Sequence, residues 1–308
     1  MKGDLSNLRL KFSAISVLHS IYTPMPALHH LPAPAKLNLF LHIVGRRADG
    51  YHLLQSVFML IDCCDHLHIE TRTSNSISRE DLHGANANSL PTDDLCVRAA
   101  KALQAATGCT LGAHIALEKN TPSEAGMGGG SSDAATVLFA LNQLWNLQLS
   151  REQLMQIGMQ LGADVPFFLL GENAWVEGIG EQLRPITLAP AQFLIVKPPH
   201  GVATAEIFQH PELQRASKLA IIEDFAQRPY QYGNNAMQNL ALRLNPEIAQ
   251  ALNLMAKHNL QARMTGSGSA VFAKIDKAAD AAALLAELPQ GWFAKMVHNL
   301  PRHPFIKW

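Results

Sequence analysis

The sequence has little charge of either sign and few aromatic side chains. Charged residues make up 16% of the 308 residues and aromatic residues 6%, and 25 lysines and arginines balance 25 aspartates and glutamates. A formal net charge of zero gives no electrostatic reason for broad binding to nucleic acid or to a membrane surface. We therefore expect neither a nucleic acid nor a membrane as a partner.

Cysteine and long apolar runs are also scarce. Cys63, Cys64, Cys96 and Cys109 match no zinc-ligand spacing and no dense disulfide framework. We expect four thiols that pack as small apolar side chains in a reducing compartment, which favours a cytoplasmic protein. No apolar run approaches the roughly 18 residues that a membrane-spanning helix needs.

The first 30 residues differ from the rest, because they are poor in acids and carry Lys2, Arg9 and Lys11. Basic residues before an apolar stretch are typical of a signal peptide, but here the stretch over residues 12–22 is interrupted by serines and a histidine. We expect residues 1–30 to form a disordered or loosely packed extension.

The remaining sequence is long enough for roughly two domains. Apolar residues alternate over residues 37–43, which predicts a strand beginning after Pro34 with Lys36 and Asn38 on one side. Further strands and helices follow without regular strand–helix–strand alternation, which predicts an α+β fold. The break at residues 185–190 is the predicted boundary between domains at 31–187 and 188–308. Helices are predicted over 93–107, 133–145, 150–161, 234–244, 246–258 and 278–288, and a surface connection over 74–91.

Four glycines in five positions carry the strongest chemical signal. Gly126, Gly128, Gly129 and Gly130 precede two serines and an amphipathic helix. Glycines let backbone N–H groups approach a ligand, and a helix N-terminus adds unpaired donors and a positive dipole end, so the pattern predicts a phosphate site. The alternative is a turn that only links strand to helix. The loop is neither a Walker A motif nor a dinucleotide-binding fingerprint, so positive charge must come from elsewhere, and Lys36 is a candidate.

Two single residues and a second loop are weaker candidates. Asp164 lies between a helix end and an apolar stretch, where it could act as a general base or simply cap a turn. Lys36 could serve phosphoryl transfer or face solvent from an edge strand. The small-residue segment 265–269 could approach a ligand or merely close a hairpin.

Several segments in order resemble the GHMP kinase superfamily and, within it, the family of 4-diphosphocytidyl-2-C-methyl-D-erythritol kinases. They are PAPAKLNLFLHIVGRRADGYH (32–52), PSEAGMGGGSSDAATVL (122–138), LGADVPFF (161–168) and MTGSGSAVFA (264–273). The resemblance covers roughly residues 32–300. It implies a two-domain fold with the active site in the interdomain cleft. It also implies ATP-dependent phosphorylation of the 2-hydroxyl of a cytidine diphosphate-bearing alcohol in the non-mevalonate route to isoprenoid precursors.

The resemblance also implies residue roles. Asp164 would be the general base and Lys36 its partner, and Asn38 would line the substrate site. Tyr51, His52 and Phe208 would bind the cytidine end, while Gly266, Ser267 and Gly268 would close the site from the second domain. The ATP-binding segment would be Pro122, Ser123, Glu124, Ala125, Gly126, Met127, Gly128, Gly129, Gly130, Ser131 and Ser132. The expected cofactors are ATP and Mg²⁺, with the metal ligands unassigned apart from Ser132 as a candidate, and the expected assembly is a monomer or homodimer.

The chain departs from the family pattern at two points. Asp94-Leu95 stands where the family often has Asn before Leu, so the resemblance carries over the phosphate site but not the adenine contact. Glu124 would repel a triphosphate unless its side chain points outward or meets magnesium.

Two alternative functions remain: another GHMP kinase that phosphorylates a different alcohol, and a catalytically silent nucleotide-binding homologue. Tyr51 and His52 argue against the first, and the presence of both Lys36 and Asp164 argues against the second.

Overall fold

Two β-sheets with helices packed around them form the molecule in the computed structural model, which describes residues 25–82 and 93–308. This arrangement confirms the predicted α+β class. The strands are β1 (Ala27–Arg46), β2 (His52–Arg72), β3 (Ile77–Leu82), β4 (Gly112–Glu118), β5 (Ala174–Glu177), β6 (Gln182–Pro185), β7 (Gln192–Lys197), β8 (Arg263–Met264), β9 (Val271–Ile275) and β10 (Phe293–His298). The helices are α1 (Leu95–Thr107), α2 (Gly129–Leu144), α3 (Arg151–Leu161), α4 (Val165–Leu170), α5 (Thr204–Gln209), α6 (Ile222–Gln227), α7 (Gln238–Leu244), α8 (Pro246–Lys257) and α9 (Ala278–Ala286).

The first sheet is built on a long antiparallel hairpin of β1 and β2. The hairpin turns at residues 47–51, and its register pairs Lys36 with Leu60 and Asn38 with Phe58. β1 occupies one edge of β2. Along the other edge, β4 pairs with residues 66–72 of β2 and continues to β3, and β5 pairs with residues 56–58 and continues to β6. Helix α2 packs on β1 and β2, and α1, α3 and α4 pack around α2.

The second sheet has the order β10-β7-β9-β8 and is antiparallel. A separate apolar cluster lies between the two sheets. It brings Leu37, Leu39 and Met59 of the hairpin together with Phe193 and Phe272 of the second sheet. The hairpin is therefore buried on both faces, and Lys36 and Asn38 are enclosed rather than exposed (3% and 1%). The alternation predicted one apolar face with Leu37, Leu39 and Leu41 and one polar face. The prediction was incomplete, because the second sheet and the core of the first bury both faces.

Local capping signals fix several helix ends as predicted. Asp94 caps α1 by accepting from the Val97 N–H, and α1 ends at Gly108 in the left-handed region. Ser150 and Gln153 form the capping box that begins α3.

Other boundaries differ from the prediction. β1 begins at Ala27, before Pro34, because its first residues pair with the far end of β2 at residues 67–70. Part of the predicted surface connection is β3, which pairs in parallel with β4. The apolar stretch after Asp164 is helix α4, packed on α2 and α3. The predicted extension over 1–30 lies mostly outside the described residues, and its residues 27–30 belong to β1.

We refer to the first sheet with α1 to α4 as the first domain and to the second sheet with α5 to α9 as the second domain. After β10 the chain returns to the first domain. Leu300 N–H donates to Leu60 O and His303 N–H to Gly171 O, both over 2.8 Å. Arg151 donates to main-chain carbonyls at the end of the chain, including that of Ile306 (2.9 Å). Phe305 packs edge-on to Phe139 and stacks on Trp308. The final residues therefore cover α2 and α3, although they follow a strand of the second sheet.

None of the helices within residues 25–82 and 93–308 combines the length and apolarity needed to cross a membrane.

His303 makes the fold sensitive to acid. Burial lowers the pKa of His303 from 6.5 to about 3, and the nearby charge of Arg151 acts in the same direction. Its Nδ1 accepts from Phe305 N–H over 3.1 Å. The unfolded chain therefore binds one proton more than the folded chain between about pH 6.5 and pH 3. Through this residue alone, we expect the free energy of unfolding to fall by about 1.4 kcal/mol per pH unit on acidification in that range.

Replacement of His303 by Asn tests this expectation, because an asparagine amide oxygen can still accept the Phe305 N–H and does not titrate. Urea unfolding measured between pH 7 and pH 4.5 should give a shallower pH dependence for H303N, even if the variant is less stable at pH 7. The control is the same measurement between pH 7 and pH 9, where His303 is neutral in both the folded and the unfolded chain, so the two proteins should show equal slopes. Parallel slopes for H303N and the unaltered protein between pH 7 and pH 4.5 would contradict the assignment.

Candidate active site

A cleft of about 1300 Å³ opens between the first sheet with α2 and the second domain. Its walls include Lys36 and Asp164 from the first domain, and Phe208, Arg215 and Ser267 from the second. Pockets for one drug-sized ligand usually occupy about 300–1000 Å³. The cleft is therefore large enough to hold two small molecules side by side.

The glycine-rich loop forms one wall of this cleft. Residues 122–131 line it, and α2 begins at Gly129 with Gly128 as its N-cap. No side chain caps the first turn of α2, so its first N–H groups remain available to a ligand. The structure thus places a helix N-terminus with free donors at the predicted phosphate position.

Close approach explains two of the glycines. At Gly128, where φ is +70°, a Cβ atom would lie 3.0 Å from the Phe168 ring and 3.2 Å from Lys36 Cε. At Gly126 a Cβ would lie 2.2 Å from the Thr265 carbonyl oxygen. The first loop therefore touches the second small-residue loop backbone to backbone. The second loop connects β8 and β9 as a hairpin and also contributes Gly266 and Ser267 to the cleft, so its approach to a ligand stays a prediction.

Lys36 of β1 and Asp164, which directly precedes α4, meet in the cleft. The Lys36 Nζ lies 3.5 Å from Asp164 Oδ2, and their side chains are 4% and 32% exposed. Lys36 Nζ also donates to Asn38 Oδ1 over 2.6 Å and lies 4.7 Å from the centroid of the Phe58 ring. Asp164 stands immediately before α4 and makes no side-chain capping bond there, so its carboxylate is not used to cap that helix. The arrangement pairs a fixed cation with a partly exposed carboxylate.

Asn38 orients Lys36 rather than lining the cleft. Its amide nitrogen donates to Ser56 Oγ over 3.0 Å, which leaves its amide oxygen for the Lys36 ammonium. Its main-chain N–H donates to Thr265 Oγ1 over 2.9 Å. The second loop is thereby attached to the strand that carries Lys36.

A buried ionic cluster lies behind the glycine-rich loop, at the end of β4. Lys119 Nζ donates to Asp65 Oδ2 and, over 2.8 Å, to Asp133 Oδ2. Both oxygens of Asp65 are satisfied, because Oδ1 accepts the N–H groups of Asn120 and Thr121. Asp133 Oδ1 has no hydrogen-bond partner. Burial raises the pKa of Asp133, and the positive charge of Lys119 opposes this shift. Lys119 and Asp133 both line the cleft, and neither was predicted from the sequence.

Tyr51, His52 and Phe208 gather at another part of the cleft. Tyr51 is 60% exposed, and His52 begins β2. The imidazole of His52 stacks on Phe208 with centroids 5.2 Å apart and planes 29° apart. Arg215 Nε donates to His52 Nε2 over 2.9 Å. The aromatic pair and an arginine thus form a surface suited to a flat heterocycle.

Most of the predicted site residues share this cleft, and three do not line it. Ser132 is fully buried and its Oγ donates to Pro34 O over 2.7 Å, so its hydroxyl is committed away from the cleft. Asn38 and Gly268 also lie behind the wall. Asp94 lines the cleft but accepts the Val97 N–H and lies 3.3 Å from Arg79 Nε. The Glu124 side chain packs against Gly201 of the second domain.

Comparison with known proteins agrees with this geometry. The family models for the GHMP kinase N-terminal domain and the GHMP kinase C-terminal domain match residues 94–172 and 212–294. A protein of Paracidovorax citrulli (strain AAC00-1) named 4-diphosphocytidyl-2-C-methyl-D-erythritol kinase is 59% identical over 288 residues, which cover 92% of this chain and 98% of that protein. A protein of the same name from Acidovorax sp. (strain JS42) is 56% identical, with coverages of 92% and 99%.

A crystal structure of a 4-(cytidine 5'-diphospho)-2C-methyl-D-erythritol kinase aligns with a TM-score of 0.74 at 32% identity. The alignment covers 89% of this chain and 99% of that one. Both the sequence and the fold are thus shared over nearly the whole length of these relatives. The chain belongs to the GHMP kinases and, among them, to the 4-diphosphocytidyl-2-C-methyl-D-erythritol kinase family.

Proposed function

We propose that the cleft holds ATP along the glycine-rich loop and the cytidylyl substrate along Tyr51, His52 and Phe208, with the reacting groups meeting at Lys36 and Asp164. The chain is an ATP-dependent kinase that phosphorylates the 2-hydroxyl of 4-diphosphocytidyl-2-C-methyl-D-erythritol, a step in isoprenoid precursor synthesis. The observation that carries the assignment of roles is the Lys36–Asp164 pair beside the uncapped N-terminus of α2.

Asp164 is the group that takes the proton. As the substrate oxygen forms its bond to the γ-phosphorus, the bond from that phosphorus to the β–γ bridging oxygen breaks and ADP leaves. The hydroxyl proton passes to Asp164, whose carboxylate is not committed to capping α4. Lys36, held 3.5 Å from Asp164, keeps the carboxylate oriented and offsets the negative charge of the transferring phosphoryl group.

The glycine-rich loop binds the phosphates of ATP through main-chain donors. The free N–H groups of the first turn of α2 and the dipole of that helix favour an anion at Gly129 to Ser131. Because the loop contacts the second loop at Gly126 and Thr265, the two domains together hold its conformation. This rigidity places donors before the phosphates arrive, so little ordering is needed on binding.

Mg²⁺ is part of the proposal, and Asp133 is the residue that fits it. Its Oδ1 is buried without a partner and belongs to the cleft wall at the start of α2. Magnesium usually uses one or two protein carboxylates together with substrate phosphates, so a single aspartate suffices. When bound, the ion would neutralise charge on the β- and γ-phosphates. Ser132 is replaced as the candidate ligand, because its hydroxyl donates to Pro34 O.

We propose a monomer, or a homodimer in which each copy has its own site. One copy of the chain supplies Lys36, Asp164, the glycine-rich loop and the residues proposed to bind cytidine.

We also propose a cytoplasmic location, because the four cysteines are free thiols, which suits a reducing compartment.

Turnover with a panel of alcohols tests the assignment. The purified protein with ATP and Mg²⁺ should release ADP with 4-diphosphocytidyl-2-C-methyl-D-erythritol and not with mevalonate, phosphomevalonate or homoserine. Turnover only with another alcohol would support the assignment as a kinase and would show that the cytidine-binding pocket is wrongly assigned. ATP binding without turnover on any of them would favour a silent homologue.

Substitution of Asp164 by Asn tests the general base. An amide of the same shape cannot accept the proton, so kcat should fall by about 100-fold or more, in the range usual for general-base catalysis. KM for ATP should change little, because the phosphate donors are main-chain groups. Asp49, an acid that also lines the cleft but pairs with Arg47, provides the control D49N. Full turnover by D164N would reject the mechanism.

A comparison of the variants D133N and D65N tests whether Asp133 binds magnesium. Both aspartates accept a hydrogen bond from Lys119, but Asp65 is buried behind the cleft wall. D133N should raise the Mg²⁺ concentration for half-maximal activity by about tenfold or more, because it removes the anionic ligand. D65N disturbs the same lysine and should leave that concentration unchanged, whatever it does to stability. Equal shifts in both variants would show that the ionic cluster acts on the fold and does not bind the ion.

A further inference from the structure

Arg215 is the most heavily hydrogen-bonded side chain in the second-domain wall of the cleft. Its Nη1 donates to Leu213 O (3.0 Å) and Pro211 O (3.2 Å), and its Nη2 donates to His210 O (2.8 Å) and Phe208 O (3.4 Å). The remaining donor, Nε–H, is directed at His52 Nε2 over 2.9 Å. Main-chain carbonyls therefore fix the guanidinium in the orientation in which it meets His52.

This contact determines where the imidazole of His52 carries its proton. An arginine guanidinium stays protonated and only donates hydrogen bonds. His52 Nε2 must therefore accept, which requires a lone pair on that nitrogen. A neutral imidazole with a lone pair on Nε2 has its single proton on Nδ1.

His52 Nδ1 has no hydrogen-bond partner among the described residues, although the ring lines the cleft. The ring is held in place by its stacking on Phe208 as well as by Arg215. Cytosine offers two neighbouring acceptors that an N–H donor can recognise, the ring nitrogen N3 and the carbonyl oxygen O2. An imidazole with the opposite tautomer would present a lone pair to those acceptors and would lose the bond.

We propose that Arg215 is a positioning residue that fixes His52 as the neutral tautomer protonated on Nδ1, so that Nδ1–H donates to an acceptor atom of the cytosine ring. The proposal rests on the proposed function, since it requires the cytidine end to lie at Tyr51, His52 and Phe208. It adds a residue with no separate sequence signal, 163 positions from the histidine that it orients.

The charges around His52 favour the neutral ring. Burial lowers the pKa of His52, and the positive charges of Arg215 and Arg46 lower it further. Arg46 itself donates to Gly50 O in the hairpin turn. Asp49 also lines the cleft but is paired with Arg47 at 2.6 Å, so no carboxylate pairs with the imidazole among the described residues.

Substitution of Arg215 by Met tests the proposal, because it keeps an unbranched apolar stem and removes the donor and the charge. At pH 8 the neutral ring in R215M is free to place its proton on either nitrogen, and only the Nδ1–H fraction binds. We expect KM for the cytidylyl substrate to rise roughly 3- to 10-fold, with KM for ATP unchanged.

The pH dependence separates tautomer control from a structural effect. Loss of Arg215 removes one of the charges that lower the His52 pKa, although burial still lowers it. As the pH falls, a growing fraction of the ring in R215M becomes protonated, and a protonated ring carries a proton on Nδ1 as well. The ratio of the R215M KM to the unaltered KM should therefore shrink by about twofold or more between pH 8 and pH 5. A ratio that stays constant over this range would overturn the proposal.

Two further measurements complete the test. In the ¹⁵N-histidine-labelled protein, His52 should show a protonated Nδ1 and an unprotonated Nε2, with H52A identifying its signals; the reverse pattern would overturn the proposal. In the H52A background, R215M should add no further rise in KM, whereas an independent rise would show that Arg215 acts through the loop alone. The control R243Q removes an exposed arginine paired with Glu212 and should match the unaltered protein.

The proposed function has its own point of failure in the same experiment. H52A alone should raise KM for the cytidylyl substrate without affecting KM for ATP. If H52A leaves both values unchanged, the cytidine pocket itself is wrong. If H52A behaves as expected and R215M does not, only the role of Arg215 is rejected.

Discussion

The positively charged ammonium group of Lys36 is almost completely removed from water. The groups that surround it compensate for the free-energy cost of that burial. An unpaired buried ammonium group would be strongly unfavourable. Here the Asn38 amide oxygen, the Asp164 carboxylate and the face of the Phe58 ring surround it. Each of these partners comes from a different part of the first domain. The folded arrangement that stabilises the charge is therefore also the arrangement that assembles the site.

This constraint extends into the second domain through Asn38. Its main chain bonds to Thr265 while its side chain serves Lys36, and Thr265 O lies against Gly126 of the glycine-rich loop. The lysine, the phosphate loop and the second loop are thus three parts of one contact network. The apolar cluster between the two sheets, which includes Leu37 and Phe193, keeps these parts in register. A change in domain packing would move the catalytic cation and the phosphate donors together.

The sequence predicted those features that are encoded locally. The glycines before α2, the cap of α1 and the capping box of α3 each lie within a few residues, so short patterns identify them. The resemblance added the roles of Lys36, Asp164 and the cytidine-binding residues, and the structure brings most of these together. Asn38, Ser132 and Gly268 lie behind the wall because packing between elements, which local patterns do not contain, determines which side of a loop faces the ligand. Lys119, Asp133 and Arg215 were missed for a related reason: their partners Asp65 and His52 are distant in sequence. Likewise, the pairing of β3 with β4 and the early start of β1 depend on neighbouring strands.

The return of the chain from β10 to the first domain has a consequence for biosynthesis. Residues 300–308 cover α2 and α3, yet they are synthesised long after those two helices. Until these residues have been translated, the surface of α2 and α3 that they cover stays exposed. The side chain of Phe139 therefore lacks its contact with Phe305 during most of translation. The first domain can therefore complete its packing only after the second sheet has been synthesised. A nascent chain that stalls within the second sheet would leave α2 exposed.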